Sequence, residues 1–345
     1  MTLRALLWSV HRWIGLALVA PFLVLAITGL ALLVCRGAGL GATASLPHPV
    51  TDLAAFDRAL ASAKAEAPGA KVGLVLPGPD ARHAWGVRLR IPDGRTLVAE
   101  FDPSHGRVLR IRPSGSSLQE ILLSIHNSLA LAQAGRLVIL ATAIGLVMLA
   151  VSGFTIMRRR WRILTQSPLR GPLRIRTLHH WTGLAALAFV LLWSTSGFLL
   201  LTMKGGGGGG RDSRPAPPLA CAPAPIAPML EQALAARPGG EIQGVMPGAG
   251  GRPTTVMILD RRAPPWAKSS SLTFDGCTGV RRPGPPAPPI TTIMIAAKAL
   301  HTGLWGSAAT VVLYGLAAIA TLVLTFTGPW LWLRRRLFSS MKASS

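Results

Sequence analysis

Acidic residues are scarce in this chain: 13 Asp plus Glu stand against 36 Lys plus Arg among 345 residues, a formal net charge of +23. In a soluble protein that imbalance would point to nucleic acid. No RNA- or DNA-binding motif occurs, and much of the positive charge abuts apolar runs. Membrane topology and lipid headgroups explain it better, and no nucleic-acid partner is expected. Charge of either sign is sparse too, at 14%, while 50% of residues are hydrophobic. That balance excludes an ordinary soluble domain. Cysteine is nearly absent, with only Cys35, Cys221 and Cys277. No Gly-x-Gly-x-x-Gly follows a strand pattern, and the Gly205–Gly210 run reads as a flexible linker. A dinucleotide loop is therefore not expected.

What is present is four long apolar runs. They cover about Leu6 to Val34, Leu137 to Met157, Trp181 to Met203 and Leu304 to Leu333. Each is long enough to cross ~30 Å of hydrocarbon at ~1.5 Å per residue. The chain divides into a first transmembrane helix (1–36), an outer domain (37–117), a second transmembrane helix (118–160) and a basic loop (161–178). A third transmembrane helix (179–204), a Gly/Pro-rich outer domain (205–290), a fourth transmembrane helix (291–337) and a tail (338–345) follow. Arg158, Arg159, Arg160, Arg162, Arg170, Arg174 and Arg176 crowd the link between the second and third apolar runs, and Arg334, Arg335, Arg336 and Lys342 the segment after the fourth. The excess of positive charge places both, and both termini, in the cytoplasm, with the two longer segments outside. A cleaved signal peptide ending near Ala42-Thr-Ala-Ser45 is the alternative reading of the first run, which is long for one. Cys221 and Cys277 share an outer segment, where a disulfide could persist.

The chain repeats itself. His11-Arg-Trp-Ile-Gly-Leu recurs as His179-His-Trp-Thr-Gly-Leu, and each first histidine precedes a glycine, Gly29 or Gly197, by 18 residues. His126 and His301 precede Gly153 and Gly328 by 27 residues; both glycines follow Ser or Thr and lead to three arginines. The outer segments repeat as well: Val72-Gly-Leu-Val-Leu-Pro-Gly78 with Ile242-Gln-Gly-Val-Met-Pro-Gly248, and Phe101-Asp-Pro-Ser-His-Gly106 with Phe274-Asp-Gly-Cys-Thr-Gly279. In the first copy Asp52 to Ala65 reads as a helix. Trp85 to Ile91 and Arg95 to Phe101 read as a hairpin about Asp93-Gly94. The expected architecture is an α-helical membrane protein: a four-helix transmembrane bundle from a duplicated unit, with two small α+β outer domains.

These motifs, in this order and twice over, resemble the PepSY-associated transmembrane proteins, also called iron-regulated membrane proteins. The resemblance covers nearly the whole chain. That family includes inner-membrane ferric-siderophore reductases holding two b-type haems between histidines. The resemblance thus implies a bacterial inner-membrane location, haem b as cofactor and an oxidoreductase acting on a ferric siderophore or other periplasmic acceptor. It also implies two PepSY-like outer domains. It assigns His11 and His179 to a cytoplasmic-side pair of iron ligands and His126 and His301 to an outer pair. No Cys-x-x-Cys-His occurs, so c-type attachment is not expected. A quinol or a redox partner protein would donate the electrons.

The residues themselves suit that chemistry. A histidine at membrane depth is costly without a partner, whereas two neutral imidazoles can hold a low-spin iron and set its potential. Gly15 and Gly183 lie one turn beyond His11 and His179, so a flat group or a second helix can approach there. Arg12 and Arg136 are candidates to pair with propionates. His180 rivals His179, and one haem or two both remain open. His48, His83 and His105 read as solvated residues of the outer domains. Trp13, Trp181 and Trp305 read as interfacial anchors. One conflict stands out. His126 lies 32 residues before Arg158, ~48 Å of straight helix against a ~30 Å core. Helices must tilt or bend, and Gly135 and Pro21 are candidate sites. Two other classes remain: a non-haem, membrane-anchored PepSY interaction or protease-regulating protein, and a transporter subunit. The spans carry few ionisable residues besides histidine, which disfavours the transporter.

Overall fold

The computed structural model of the protein describes residues 2–41, 43–158, 173–207, 221–248, 252–264, 266–283, 289–303, 305 and 307–343. Arg159, Arg160, Arg162 and Arg170 of the basic loop, and Gly208–Gly210 of the glycine run, lie outside the described residues. Two compact units form. One takes Met1–Val34, Leu122–Gly207 and Ala297–Ser345; the other takes Cys35–Ile121 and Gly208–Ala296.

The first unit is helical. Thr2 caps α1 (Leu3–Ala17), its hydroxyl accepting from Ala5 N. The helix ends where Pro21 has no N–H to offer the Ala17 carbonyl, and α2 (Val19–Gly37) follows after Leu18 alone. Among the described residues four stretches are long and apolar enough to cross a membrane: Val19–Gly37, Ala132–Arg158, Ile175–Met203 and Ala308–Arg334. They belong to α2, α5 (Ala132–Arg158), α6 (Leu173–Gly207) and α9 (Ala308–Ala343). The short helices α4 (Leu118–Ser128) and α8 (Pro289–Thr302) precede α5 and α9. The helix α6 packs between α5 and α9, while α1 lies against α5 and also touches α9.

Helix breaks remove the length conflict. The residues expected to form one second span are two helices, parted at Leu129–Leu131, with Leu129 and Ala130 at φ 49° and 57°. The fourth is likewise parted after Thr302, where Gly303 has φ +72°. His126 and His301 therefore sit on separate short helices rather than far out along a straight span. Pro21 does mark a break. Gly135 does not; it lies inside α5, and the chain turns before it.

The second unit departs from the expected pair of small domains. The strands β1 (Lys71–Leu76), β2 (Trp85–Arg90), β3 (Thr96–Asp102) and β4 (Arg107–Pro113) form one antiparallel meander. The strands β5 (Glu241–Met246), β6 (Thr254–Leu259), β7 (Ser269–Phe274) and β8 (Arg281–Arg282) form another. The two join in one eight-stranded sheet, β4-β3-β2-β1-β5-β6-β7-β8, through an antiparallel contact at Val75 and Val245. The repeated Pro-Gly segments thus meet at its centre. The helices α3 (Phe56–Ala65) and α7 (Ala227–Ala235) share a single core with the strands, in which Phe56, Phe101, Leu230 and Phe274 are fully buried. Asp57 on α3 caps the start of α7, accepting from Ile226 N at 2.7 Å and Ala227 N at 3.0 Å. Merging follows from edges: each meander alone would expose β1 or β5 as an unpaired strand.

The Asp93-Gly94 hairpin forms as expected, with Leu89 opposite Leu97. The two Phe-Asp turns use one device. Asp102 accepts from the backbone N–H of Ser104 and His105, and Asp275 from those of Cys277 and Thr278. Cys221 and Cys277 form a disulfide across 56 residues. Replacing both with serine is expected to lower the stability of this unit by about 2–4 kcal/mol, read as a lower denaturant midpoint that matches reduced wild type.

Glu100 is fully buried on β3. Desolvation pushes its carboxyl up. Hydrogen bonds from Arg110, Arg112 and Ala44 N outweigh that and leave it below the usual carboxylate range. A depressed group contributes fully above its unfolded value and loses that contribution as pH falls through its folded value. Amide exchange in β3 and β4 is therefore expected to quicken below about pH 4. Glu100→Gln should abolish most of that pH dependence and cost about 1–3 kcal/mol at neutral pH, by weakening the charge-assisted hydrogen bonds to Arg110 and Arg112, the latter keeping its pair with Glu120.

Candidate functional site: four seated histidines

Each of the four predicted histidines lies on a helix of the first unit, and each leans on a neighbouring helix in the same way. His11 on α1 places Nδ1 3.0 Å from Ser152 Oγ on α5. His126 on α4 places Nδ1 3.0 Å from Thr28 Oγ1 on α2. His179 on α6 meets Thr327 Oγ1 on α9 at 2.8 Å, and His301 on α8 meets Ser196 Oγ on α6 at 2.9 Å. Every partner hydroxyl is followed by glycine. A methyl group on Gly29, Gly153, Gly197 or Gly328 would stand 3.2, 2.9, 3.1 or 3.6 Å from Cε1 of the seated ring. The Ser/Thr-Gly dipeptide is thus a seat, with a hydroxyl for one ring nitrogen and a bare Cα for the carbon beside it.

Two levels result. Ser196 follows His179 by 17 residues along α6, about 25 Å of helix, and Thr28 follows His11 by 17 across the break at Leu18. At one level the rings of His126 and His301 meet edge-on, with centroids 6.1 Å apart and planes at 61°. At the other, His11 rests on Ser152 and His179 on Thr327. His179, rather than His180, takes the seat equivalent to that of His11, and His180 packs edge-on against His179 with centroids 6.2 Å apart. Ser194 Oγ, two residues before Ser196, is buried without a hydrogen-bond partner.

The profile of the PepSY-associated TM region matches residues 8–335. The chain belongs to that family. No curated protein gives a significant match. Within this PepSY-associated membrane protein, the seats explain motifs that were only spacings in the sequence. The 18- and 27-residue intervals each join a histidine to a seat glycine, but not to its own. His11 and Gly29 lie on joined helices at different levels, and the ring of His11 rests on Gly153. Thr28, Ser152, Ser196 and Thr327 were all missed as functional residues, although the Ser/Thr-Gly dipeptide occurs at all four positions.

Other expectations fare differently. Trp13, Trp181 and Trp305 are well exposed, as anchors would be. Arg12 stacks over the Trp13 ring at 5.0 Å, and Arg136 is exposed. His48 and His105, expected to be solvated, are exposed, while His83 is partly buried. The rings of His48 and His105 stand with centroids 6.1 Å apart, and Asp102 Oδ2 lies 2.8 Å from His105 Nδ1. Among the described residues no cluster of three or more His, Cys, Asp or Glu could hold a bare metal ion. An iron already held by a macrocycle needs only two axial ligands.

Proposed function

We propose that this membrane protein is a b-type haem electron-transfer protein of the bacterial inner membrane, in which His11 and His179 would hold one haem and His126 and His301 another. The observation that supports it most is the His126–His301 pair. Two imidazoles sharing one iron at about 2 Å per nitrogen have centroids about 6 Å apart, and these stand 6.1 Å apart with both Nδ1 atoms engaged elsewhere. When bound, haem b supplies reversible one-electron carriage. The chain's own contribution is to present Nε2 at each level, to keep water away with apolar helices, and to hold the levels near opposite membrane faces.

In this reading the basic loop and both termini are cytoplasmic and the sheet unit is periplasmic. The Cys221–Cys277 disulfide suits an oxidising compartment. A quinol or redox partner protein donates electrons at the His11–His179 level. The acceptor at the other level is a ferric siderophore or another periplasmic oxidant. Reduction of Fe(III) weakens its hold in a hard-oxygen chelate and frees it.

The test is a dithionite-reduced visible spectrum of the purified protein, followed by iron release from candidate ferric chelates. Sharp b-type bands that reoxidise on adding a chelate support the proposal. A colourless, folded protein from haem-replete cells would favour a non-haem membrane-anchored PepSY interaction or protease-regulating protein instead.

A further inference from the structure

We propose that Thr28, Ser152, Ser196 and Thr327 are positioning residues that lock the tautomer of the four histidines, so that each offers Nε2 as its bare nitrogen. Only the consequence for bound iron rests on the haem reading; the lock belongs to these side chains alone.

A hydroxyl carries one proton. At every seat that proton has a taker on its own helix. Thr28 Oγ1 donates to Val24 O at 2.7 Å, and Ser152 Oγ to Met148 O at 2.7 Å. Ser196 Oγ donates to Leu192 O at 2.5 Å, and Thr327 Oγ1 to Val323 O at 2.8 Å. Such back-bonding to the carbonyl four residues earlier is a familiar habit of helical Ser and Thr. It leaves only lone pairs on the oxygen. The imidazole Nδ1 atoms lie 2.8–3.0 Å from those oxygens. With the hydroxyl proton held on the carbonyl the oxygen can only accept, and in the proposed lock Nδ1 carries the proton and donates. A neutral imidazole has one N–H, so Nε2 is left bare.

The seat glycine adds a second constraint. Its Cα closes on Cε1, the carbon between the two nitrogens, so the ring cannot flip without losing both contacts. The hydroxyl contact holds on four helix pairs and the tight glycine on three of them, a methyl on Gly328 making only ordinary contact at 3.6 Å; one accidental contact would not produce this. A metal-bound histidine whose N–H reaches an acceptor is oriented and made more basic. A neutral hydroxyl does this without placing a charge at membrane depth. It therefore stabilises ferric over ferrous iron modestly and sets a lower potential than an unpartnered imidazole would.

Thr28→Val keeps the shape of the side chain and removes the hydroxyl; Thr28→Ser keeps the hydroxyl. In the full-length protein produced without haem and labelled with 15N-histidine, ring nitrogen shifts at mildly alkaline pH report each tautomer. The expected result is Nδ1–H for His126 in wild type and Thr28→Ser, and a mixture or Nε2–H in Thr28→Val. Nε2–H in wild type, or no change in Thr28→Val, overturns the proposal. Ser196→Ala repeats the measurement at the His301 seat should Thr28→Val fail to insert. In haem-loaded protein, Thr28→Val is expected to raise the potential of one haem only, and Thr28→Ser to restore it. A protein that takes up no haem would refute the functional reading, while the nitrogen shifts would still decide the lock.

Discussion

Replacing His126 and His301 together with alanine is expected to halve the haem content, from two per chain to one, and to leave the remaining spectrum intact. The two levels use different histidines on different helices, and about 25 Å of helix separates them. Each ring also leans on its own seat, so removing one level leaves the hydrogen bonds at the other untouched. His11→Ala with His179→Ala should remove the complementary half. His180→Ala should remove neither, because the seat on Thr327 is filled by His179. The measurement is pyridine-haemochrome content per protein, with redox titration to resolve the two potentials. Loss of both haems from one double variant would mean that the levels are not independent. Full retention would remove these side chains from the ligand set.

Much of this arrangement was legible in the sequence, for a physical reason. Membrane spans must be long and apolar, and the histidines stood out because each lies in or beside such a run: His179 within Ile175–Met203, and His11, His126 and His301 on the helices α1, α4 and α8 that lead into the others. The hairpin at Asp93-Gly94 and the repeat stood out by their own residue patterns. Three things did not. The partner of each histidine depends on which helices touch, and the 18- and 27-residue intervals suggested relations along the chain where the contacts run between helices. The length conflict called for a bend near the second span but put it at Gly135, and the break before α9 escaped notice. Leu129 and Ala130 adopt left-handed backbone angles that nothing in their side chains announces. The union of two expected domains into one sheet depends on the edges of β1 and β5, and an exposed edge is a property of the fold rather than of either segment alone. His48 and His105, 57 residues apart, came together for the same kind of reason.

The break before α5 carries the second large effect. Alanine in place of an exposed helical glycine ordinarily stabilises by up to ~1 kcal/mol. Gly135→Ala is expected to do the opposite. The turn places the Ser128 carbonyl so close that an added Cβ on Gly135 would stand 1.7 Å from its oxygen. That oxygen is backbone, so no side-chain rotation relieves the clash. The turn already holds Leu129, Ala130 and Ala132 at φ 49°, 57° and 49°, each costing roughly 1–2 kcal/mol. It is closed by Leu129 N to Ile125 O and Leu131 N to Ser128 O, both at 2.7 Å. Little slack remains, and a loss of about 3 kcal/mol or more follows. The consequence is local to function as well. The turn is what carries α4, and with it His126, back to the Thr28 seat. Gly135→Ala should therefore lower thermal stability and remove haem at the His126–His301 level while sparing that at His11–His179. Gly37→Ala, where an added Cβ meets nothing within 4 Å, is the matched control and should change neither. A Gly135→Ala protein that keeps two haems would show that His126 reaches its seat without this turn.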